Sequence, residues 1–336
     1  MSKDISRRIL VNLIKSSSAP AVFLFILSAL FVVFGTNANF DLGFARSFLN
    51  SNITVLCICI GEAVVILTGG IDISIGPLVS LCNVLVVKLI GGGMPVCAAI
   101  IVMLLVSVGS GALNGFMVGV MRINPLLTTY ATSIIYGGLA LVVTRTPIYL
   151  KTTMLSDFYG TRIFGVVPVT VVFILVPYFL WKIYKCTPAG IKIYAVGENE
   201  LSAYCSGVNV VMTKMFAYCF AGFTTGIGAL AITCMIQGGN PLLGASMSMT
   251  AVSAVVIGGV SLSGGKGDVG GGIFGCLFLF MLTNIIISMG INTFWQELLK
   301  TLILLTSVVV SVVISSERDR IRKVFEYVRE RIRHNA

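Results

Sequence analysis

Hydrophobic and polar residues do not alternate along this chain; they come in blocks. Apolar runs occupy residues 19–35, 53–70, 76–93, 96–120, 126–143, 166–183, 215–235, 249–262, 271–289 and 298–314, with polar or Gly-rich stretches between them. A helix crossing a bilayer needs about 20 mostly apolar residues, within a range of about 17–25. Backbone polar groups in hydrocarbon must be satisfied inside the segment, so the runs read as helices. A membrane β-barrel would alternate apolar and polar residues along each strand, and that period is absent. The pattern predicts an all-α integral membrane protein with about ten transmembrane helices and Gly-rich broken or re-entrant segments. The run 249–262 is too short for an ordinary crossing and reads as a broken element packed inside the protein. The expected organisation is an N-terminal tail over residues 1–18, a transmembrane domain over 19–314 with a long polar loop at about 184–214, and a basic tail over 315–336.

Charge then orients the bundle. Lys and Arg concentrate in the N-terminal tail (Lys3, Arg7, Arg8, Lys15), in the loop after the sixth run (Lys185, Lys192, Lys214) and in the C-terminal tail. Only Arg46, Arg145, Lys151 and Arg162 fall on the alternate connections. Cytoplasmic loops carry the excess of Lys and Arg, so both termini and the 184–214 loop are expected in the cytoplasm. Hydrophobic residues make up 57% of the chain and charged residues 11%, against about 25% charged in a soluble domain, which excludes a soluble fold. The net charge of +10 sits at the chain ends and one loop without interleaved aromatics, so nucleic acid is not an expected partner; membrane lipid is. No small-residue cleavage site follows the first apolar run, which is expected to be retained. The nine cysteines lie mostly inside apolar runs and the single His334 lies in the tail. No zinc set forms from them, and neither a metal nor a cofactor is expected on this chain.

Two acids interrupt the apolar text. A carboxylate at the bilayer centre costs several kcal/mol even on mild scales, which makes Glu62 and Asp72 candidate pathway residues. Asp72 reads equally as a cap for the helix that follows it. The stretch Gly69-Gly70-Ile71-Asp72-Ile73-Ser74-Ile75-Gly76 resembles Gly258-Gly259-Val260-Ser261-Leu262-Ser263-Gly264-Gly265, each after a Val-Val-Ile run. Paired Gly-interrupted segments point to a site between repeats. An inverted repeat would place the two on opposite sides, whereas the ten-run count places them on the same side. In the 184–214 loop, Asn199 can cap a short helix to Ser206 that Gly207 ends, exposing Leu201 and Tyr204 as a docking element. Gly111, Gly115 and Gly119 share one helix face and permit close helix approach. Asn83, Asn114, Thr128, Thr132, Ser133 and Asn284 are polar positions on apolar runs, suited to helix–helix hydrogen bonds or to a hydroxyl-rich substrate. A phosphate loop needs Gly six residues before its Lys and Ser or Thr after it; around Lys266 those positions hold Val260 and Gly267. The chain therefore shows no nucleotide site.

Leu67 through Gly76 resembles the TGGIDLSVG signature of bacterial sugar ABC-transporter permeases of the ribose/xylose/arabinose type. Asn124-Pro125-Leu126-Leu127-Thr128-Thr129, Tyr194 through Val210, and Ala251 through Gly267 resemble further stretches of that family in the same order, covering roughly residues 50–312. The resemblance implies a transport subunit of the inner (plasma) membrane that is not itself an enzyme. Its implied partners are cytoplasmic ABC ATPase subunits that bind the ATP, a second permease chain (identical or different), and a periplasmic or lipid-anchored sugar-binding protein. It implies a substrate pathway near Glu62, Asp72, Ser74, Thr128 and Asn284. It implies an ATPase coupling loop with Gly197, Glu198, Asn199, Tyr204 and Gly207, and structural glycines at Gly69, Gly70, Gly76, Gly258, Gly259, Gly264 and Gly265. Two departures stand out: the family's Glu-Leu-Asp before the second Gly stretch reads Ser248-Met249-Thr250 here, and Glu62 replaces a common apolar residue. The rival reading from the two acids is an ion-coupled secondary transporter using Glu62 and Asp72. A membrane enzyme would need a nucleophile motif, a His–Glu pair or a metal set, and none is present.

Overall fold

The computed structural model describes residues 18–35, 42–150, 154–163 and 167–290, together with residues 292, 295, 298, 301–302 and 305–306. The expected tails, apart from Ser18, and most of the tenth run lie outside the described residues. The helices are α1 (Ala19–Gly35), α2 (Leu42–Leu67), α3 (Ile75–Gly91), α4 (Val96–Gly119), α5 (Pro125–Val143), α6 (Met154–Gly160), α7 (Val172–Lys185), α8 (Pro188–Glu198), α9 (Glu200–Cys205), α10 (Val210–Ile236), α11 (Met247–Ile257) and α12 (Val269–Ser288). Two-residue strands β1 (Ile148–Tyr149) and β4 (Gly238–Gly239) pair antiparallel, as do β2 (Arg162–Ile163) and β3 (Val167–Pro168). Five helices (α2, α4, α5, α10 and α12) are long and apolar enough to cross a membrane. A sixth crossing follows if residues 169–185 and α8, bent by 85° between them, count as one span. Helices α1, α3 and α11 are shorter apolar elements. The protein is thus a multi-span helical membrane protein.

Helices α4 and α10 pack antiparallel on small residues. A Cβ at Gly111 would run into the Tyr218 backbone, one at Gly115 would stand 2.9 Å from Met215 Cα, and one at Gly119 3.3 Å from the Val211 carbonyl. Gly222 answers from the other helix, its carbonyl accepting a 2.6 Å bond from Ser107 Oγ. Close backbone approach maximises dispersion contact where no hydrophobic effect drives association.

The Gly-rich breaks are two copies of one turn. Helix α2 ends where Gly69 (φ 80°) takes the left-handed conformation. Gly70 N–H bonds to Val65 O (3.2 Å) and Gly69 N–H to Ile66 O (2.9 Å). Helix α11 ends identically: Gly259 has φ 83°, Val260 N–H reaches Val255 O (3.2 Å) and Gly259 N–H reaches Val256 O (2.9 Å). Both are Schellman caps. In this shared cap Gly69 matches Gly259 and not Gly258, one residue out of the register read from sequence; the same cap also ends α3 at Gly93 and α9 at Gly207, so it does not by itself make the two stretches a repeat. Either glycine of a Gly-Gly pair can supply positive φ, and letters alone do not say which. Gly258 has another duty: it lies against the Gly271 backbone where α11 crosses α12. The two turns touch. Gly265 N–H donates to Leu67 O (3.0 Å), and a Cβ on Gly264 would stand 2.8 Å from Gly69 N. They share one end of the bundle, the same-side arrangement of the run count; the inverted placement does not occur.

The short run 249–262 has a geometric explanation. From the β1–β4 ribbon the chain descends along α3 without forming a helix. Asn83 donates to Gly238 O (2.9 Å) and accepts from Asn240 N–H (2.8 Å), and Ser80 Oγ accepts from Gly244 N–H (2.8 Å). Ser248 Oγ accepts from Gly76 N–H (2.9 Å) and donates to Ile73 O (2.6 Å). Side chains of α3 satisfy this backbone, as irregular chain at membrane depth requires. Helix α11 then needs only 11 residues, about 16 Å, to reach its Gly turn.

Candidate functional site

A buried polar chamber forms where the chain after α2 folds back into the protein. Glu62, in the last turns of α2, is 0% exposed, and Asp72 is 2% exposed. The Schellman turn reverses the chain, so Asp72 N–H reaches Glu62 Oε1 at 3.2 Å. Asp72 Oδ1 accepts from Ser74 N–H (2.9 Å) and Ser74 Oγ (2.6 Å). Asn114 of α4 donates from Nδ2 to Ser74 Oγ (2.8 Å). Thr129 of α5 donates to Ile71 O (3.1 Å). Tyr218 of α10 closes the back wall, its hydroxyl 2.7 Å from where a Gly70 Cβ would stand. Four elements thus converge on seven residues of loop.

The cap reading of Asp72 is refined by this geometry. Its carboxylate grips Ser74, the residue that precedes α3, and does not bond the amides of the first helical turn. Gly76 N–H, in that turn, goes to Ser248. Six buried polar atoms keep no partner among the described residues, and three of them, Glu62 Oε2, Asn114 Oδ1 and Tyr218 Oη, belong here; the others are Thr128 Oγ1, Trp181 Nε1 and Tyr194 Oη. A buried polar group without a hydrogen bond costs about 1–3 kcal/mol, so such a concentration marks a place built for something other than packing. Among the described residues no group of three metal-ligating side chains occurs. What the chamber offers is hydrogen bonding of both senses, from hydroxyl, amide and carboxyl groups.

Of the other pathway candidates, Thr128 is buried on α5, next in the chain to Thr129. Asn284 does not join it. It lies 16 residues beyond Asp268, about 24 Å along the helix, with its amide bonded to Phe280 O (2.9 Å). Sequence reading missed Tyr218, which is one aromatic among many on an apolar run, and it named Asn114 as a helix–helix or substrate contact without placing it beside the two acids.

The polar loop ends directly beneath the chamber. It is largely helical: α8 was not expected, although Thr187-Pro188 announces it. Thr187 Oγ1 accepts from Gly190 N–H (3.3 Å) and proline takes the first position, as helix starts favour. Gly197, at the far end of α8, lies against Leu67 O, and its Cβ would stand 2.5 Å from Gly265 N. Glu198 meets Gly265 in the same contact. Gly197 therefore joins both Gly turns at one point. Beyond it Asn199 Oδ1 caps α9 through Ser202 N–H (2.8 Å). Gly207 (φ 81°) ends α9, with Val208 N–H on Ala203 O (3.0 Å). Leu201 is 72% and Tyr204 66% exposed. Lys214 pairs with Glu200 at 2.6 Å.

A second tie holds the loop to the bundle. Asp268, which caps α12, bonds Lys185 at the end of α7 and lies 3.6 Å from Lys182. Partial burial pushes the Asp268 carboxyl up, but the two ammonium groups outweigh it and hold the carboxyl below its usual 3.8.

Comparison with known proteins agrees with this geometry. Residues 44–308 match the family model described as branched-chain amino acid transport system / permease component. The chain is 33% identical over 258 residues to the ribose import permease protein RbsC of Bacillus subtilis, covering 75% of this chain and 79% of that one. It is 30% identical to the D-allose transport system permease protein AlsC of Escherichia coli K12, over 81% of this chain and 85% of that one. It is also 30% identical to the autoinducer 2 import system permease protein LsrD of Yersinia enterocolitica, over 63% and 68% respectively. No solved structure matches.

Proposed function

Because this chain belongs to the branched-chain amino acid transport system permease family, we propose that it is the membrane-spanning subunit of an ATP-driven importer for a monosaccharide or a related polyol. The family's description names amino acids, but the similar full-length permeases carry the names of ribose and allose, and the chamber matches a hydroxyl-rich cargo. It offers donors and acceptors and no cation to hold an amino acid's carboxylate. The protein is a multi-pass protein of the bacterial inner membrane, with both termini and the α8–α9 loop in the cytoplasm. Nucleotide binds on a separate ATPase chain, and a second permease subunit completes the pathway. The ion-coupled reading of Glu62 and Asp72 loses its support, since the similar proteins are permeases of import systems.

One observation carries the mechanism: Gly197 abuts Leu67 and Gly265. The ATPase docks on Leu201 and Tyr204 of α9. Its closure and opening move α8, and α8 pushes the paired Gly turns through Gly197. Leu67 is five residues from Glu62 and Asp72, so the push reaches the chamber without any intervening element. A rigid two-state contact of this kind transmits displacement because packed interfaces are bistable and do not deform smoothly.

The test is purification of the tagged chain from native membranes in mild detergent. Recovery of an ATP-hydrolysing subunit, lost when Leu201 and Tyr204 are both changed to Ser, supports the reading. Recovery of the chain alone, with uptake that collapses with the proton gradient, overturns it.

A further inference from the structure

Where α7 ends, the chain turns by 85° into α8. A helix at right angles to a crossing one lies along the membrane surface, so this elbow stands at the level of the lipid headgroups. One face of α7 is open to lipid. Leu175 and Phe179 are 43% and 56% exposed, and Lys182 follows them on the same helix face, seven residues after Leu175. A cation that ends an apolar stripe reaches from the acyl chains to the headgroups. Ile183 and Ile191, both exposed, carry the apolar surface around the bend.

The charge at the elbow does not balance. Asp268 bonds Lys185 and lies 3.6 Å from Lys182, one carboxylate for two ammonium groups. No other acidic residue occurs in 172–197 or 265–288, the segments that meet here. Two helices also start at this point. One is α12, which Asp268 caps through Gly270 N–H (3.2 Å); the other is α8, capped by Thr187 two residues after Lys185. Each helix start adds about half a positive charge. The two cations are held in place: Lys182 Nζ stands 5.4 Å over the Tyr178 ring and Lys185 Nζ 5.5 Å over that of Tyr194. Tyr194 Oη is buried and without a hydrogen-bond partner among the described residues. Tyr178 Oη lies 3.6 Å from where a Cβ of Gly270 would stand, at the start of α12.

We propose that this elbow binds the phosphate headgroup of an anionic phospholipid of the cytoplasmic leaflet, with Lys182 as its main cation and its acyl chains along the Leu175–Phe179 face of α7. Basic pockets between membrane helices on the cytoplasmic side take such headgroups. The inference rests on the import-permease reading, which puts α8 in the cytoplasm. A lipid fits better than a free phosphate, because the apolar stripe leads straight to the cation. The headgroup braces the start of α8, the helix whose far end carries Gly197, so the lipid sets how α8 moves.

The experiment titrates the tagged full chain, purified with its ATPase in mild detergent, with phosphatidylglycerol and separately with phosphatidylcholine. Native mass spectrometry counts the lipids retained. The expected result is one phosphatidylglycerol held per chain that phosphatidylcholine does not displace. Lys182→Gln should cut its retention about fivefold, the effect of one Lys at a membrane surface, and Lys182→Arg should keep it. Arg145→Gln, a cation lost from the opposite end of the bundle, should change nothing. If Lys182→Gln lowers the yield of folded protein, Tyr178→Phe, which keeps the ring under Lys182, should give a smaller loss in the same direction. Equal retention of the two lipids overturns the proposal, as does phosphatidylglycerol retention indifferent to Lys182→Gln and Tyr178→Phe. Displacement of the lipid by inorganic phosphate also overturns it, in favour of a free-anion site. Each of these, with the ATPase still co-purifying, leaves the importer reading standing. Absence of the ATPase is a failure of that reading instead, and the lipid titration is then read on the chain alone.

Discussion

Glu62 and Asp72 make different demands on their surroundings, and substitution separates them. Glu62 uses one oxygen, accepting from Asp72 N–H, and glutamine keeps that oxygen. Glu62→Gln is expected to retain most ATP-dependent uptake, insensitive to a protonophore. Glu62→Leu strands the Asp72 amide and should lower stability by about 1–3 kcal/mol, read as a fall in thermal unfolding temperature in nanodiscs. A Glu62→Gln chain that folds but transports nothing would return the carboxylate to the centre of the mechanism. Gly197 is the second residue with a sharp expectation. Alanine there forces a methyl group into Leu67 O and Gly265 N–H, and overpacking of this kind costs about 1–3 kcal/mol. Gly197→Ala should keep the ATPase bound but uncouple it, so hydrolysis no longer responds to substrate. Normal coupling in a folded Gly197→Ala chain would remove the contact from the mechanism.

Among the elements, α7 and α12 are joined at their ends by Asp268 with Lys185 and Lys182. The Asp268 carboxyl has a folded value below its usual 3.8. Its contribution is therefore fully present above the unfolded value and is lost as pH falls through the folded one. Thermal stability should show no slope from this pair across the neutral range and should drop only below about 3.8. Both lysines are more than a third exposed, so solvent screening keeps the gain to about 1 kcal/mol or less. Asp268→Asn in a thermal melt at neutral and at acid pH checks this: the two chains should differ at neutral pH and converge in acid. The α8 helix teaches a related point. Its start was legible in Thr187-Pro188, yet a stretch with Lys192 and few consecutive apolar residues does not read as a helix when the search is for membrane spans.

For the whole molecule, the decisive arrangement is the meeting of three segments distant in sequence, at Gly69, Gly197 and Gly264. Cysteines placed at the exposed positions Glu198 and Ser263 should be joined by a short bifunctional maleimide in membranes. Failure to join them would separate the loop from the second Gly turn and with it the route from ATPase to chamber. The same arrangement puts the two Gly turns on one side: α11 runs beside α2 in the same direction, with Cys59 Sγ donating to Ala251 O, and both end at one face.

Block hydrophobicity determined the class and most of the apolar helices, because lipid leaves a chain few ways to satisfy its backbone; it did not give the number of crossings, since five helices, or six with the bent pair, are long enough to span among the described residues, against about ten expected. The Lys and Arg on loops set the expected orientation, because cytoplasmic loops carry the excess of positive charge. Local chemistry also reached Asn199 and Gly207, since a cap needs only its neighbours. The chamber was half legible: two acids in apolar text are visible as letters. That Asn114, visible only as one polar candidate among several, and Tyr218 stand beside them was not, because these arrive from α4 and α10 through packing that depends on glycines facing backbone across two helices. Which glycine of a pair turns left-handed, where the descending chain 239–248 finds its hydrogen bonds, and that Gly197 stands beneath Leu67 were likewise decided only by tertiary structure. Each is a contact between residues far apart in the chain, and no local propensity encodes it.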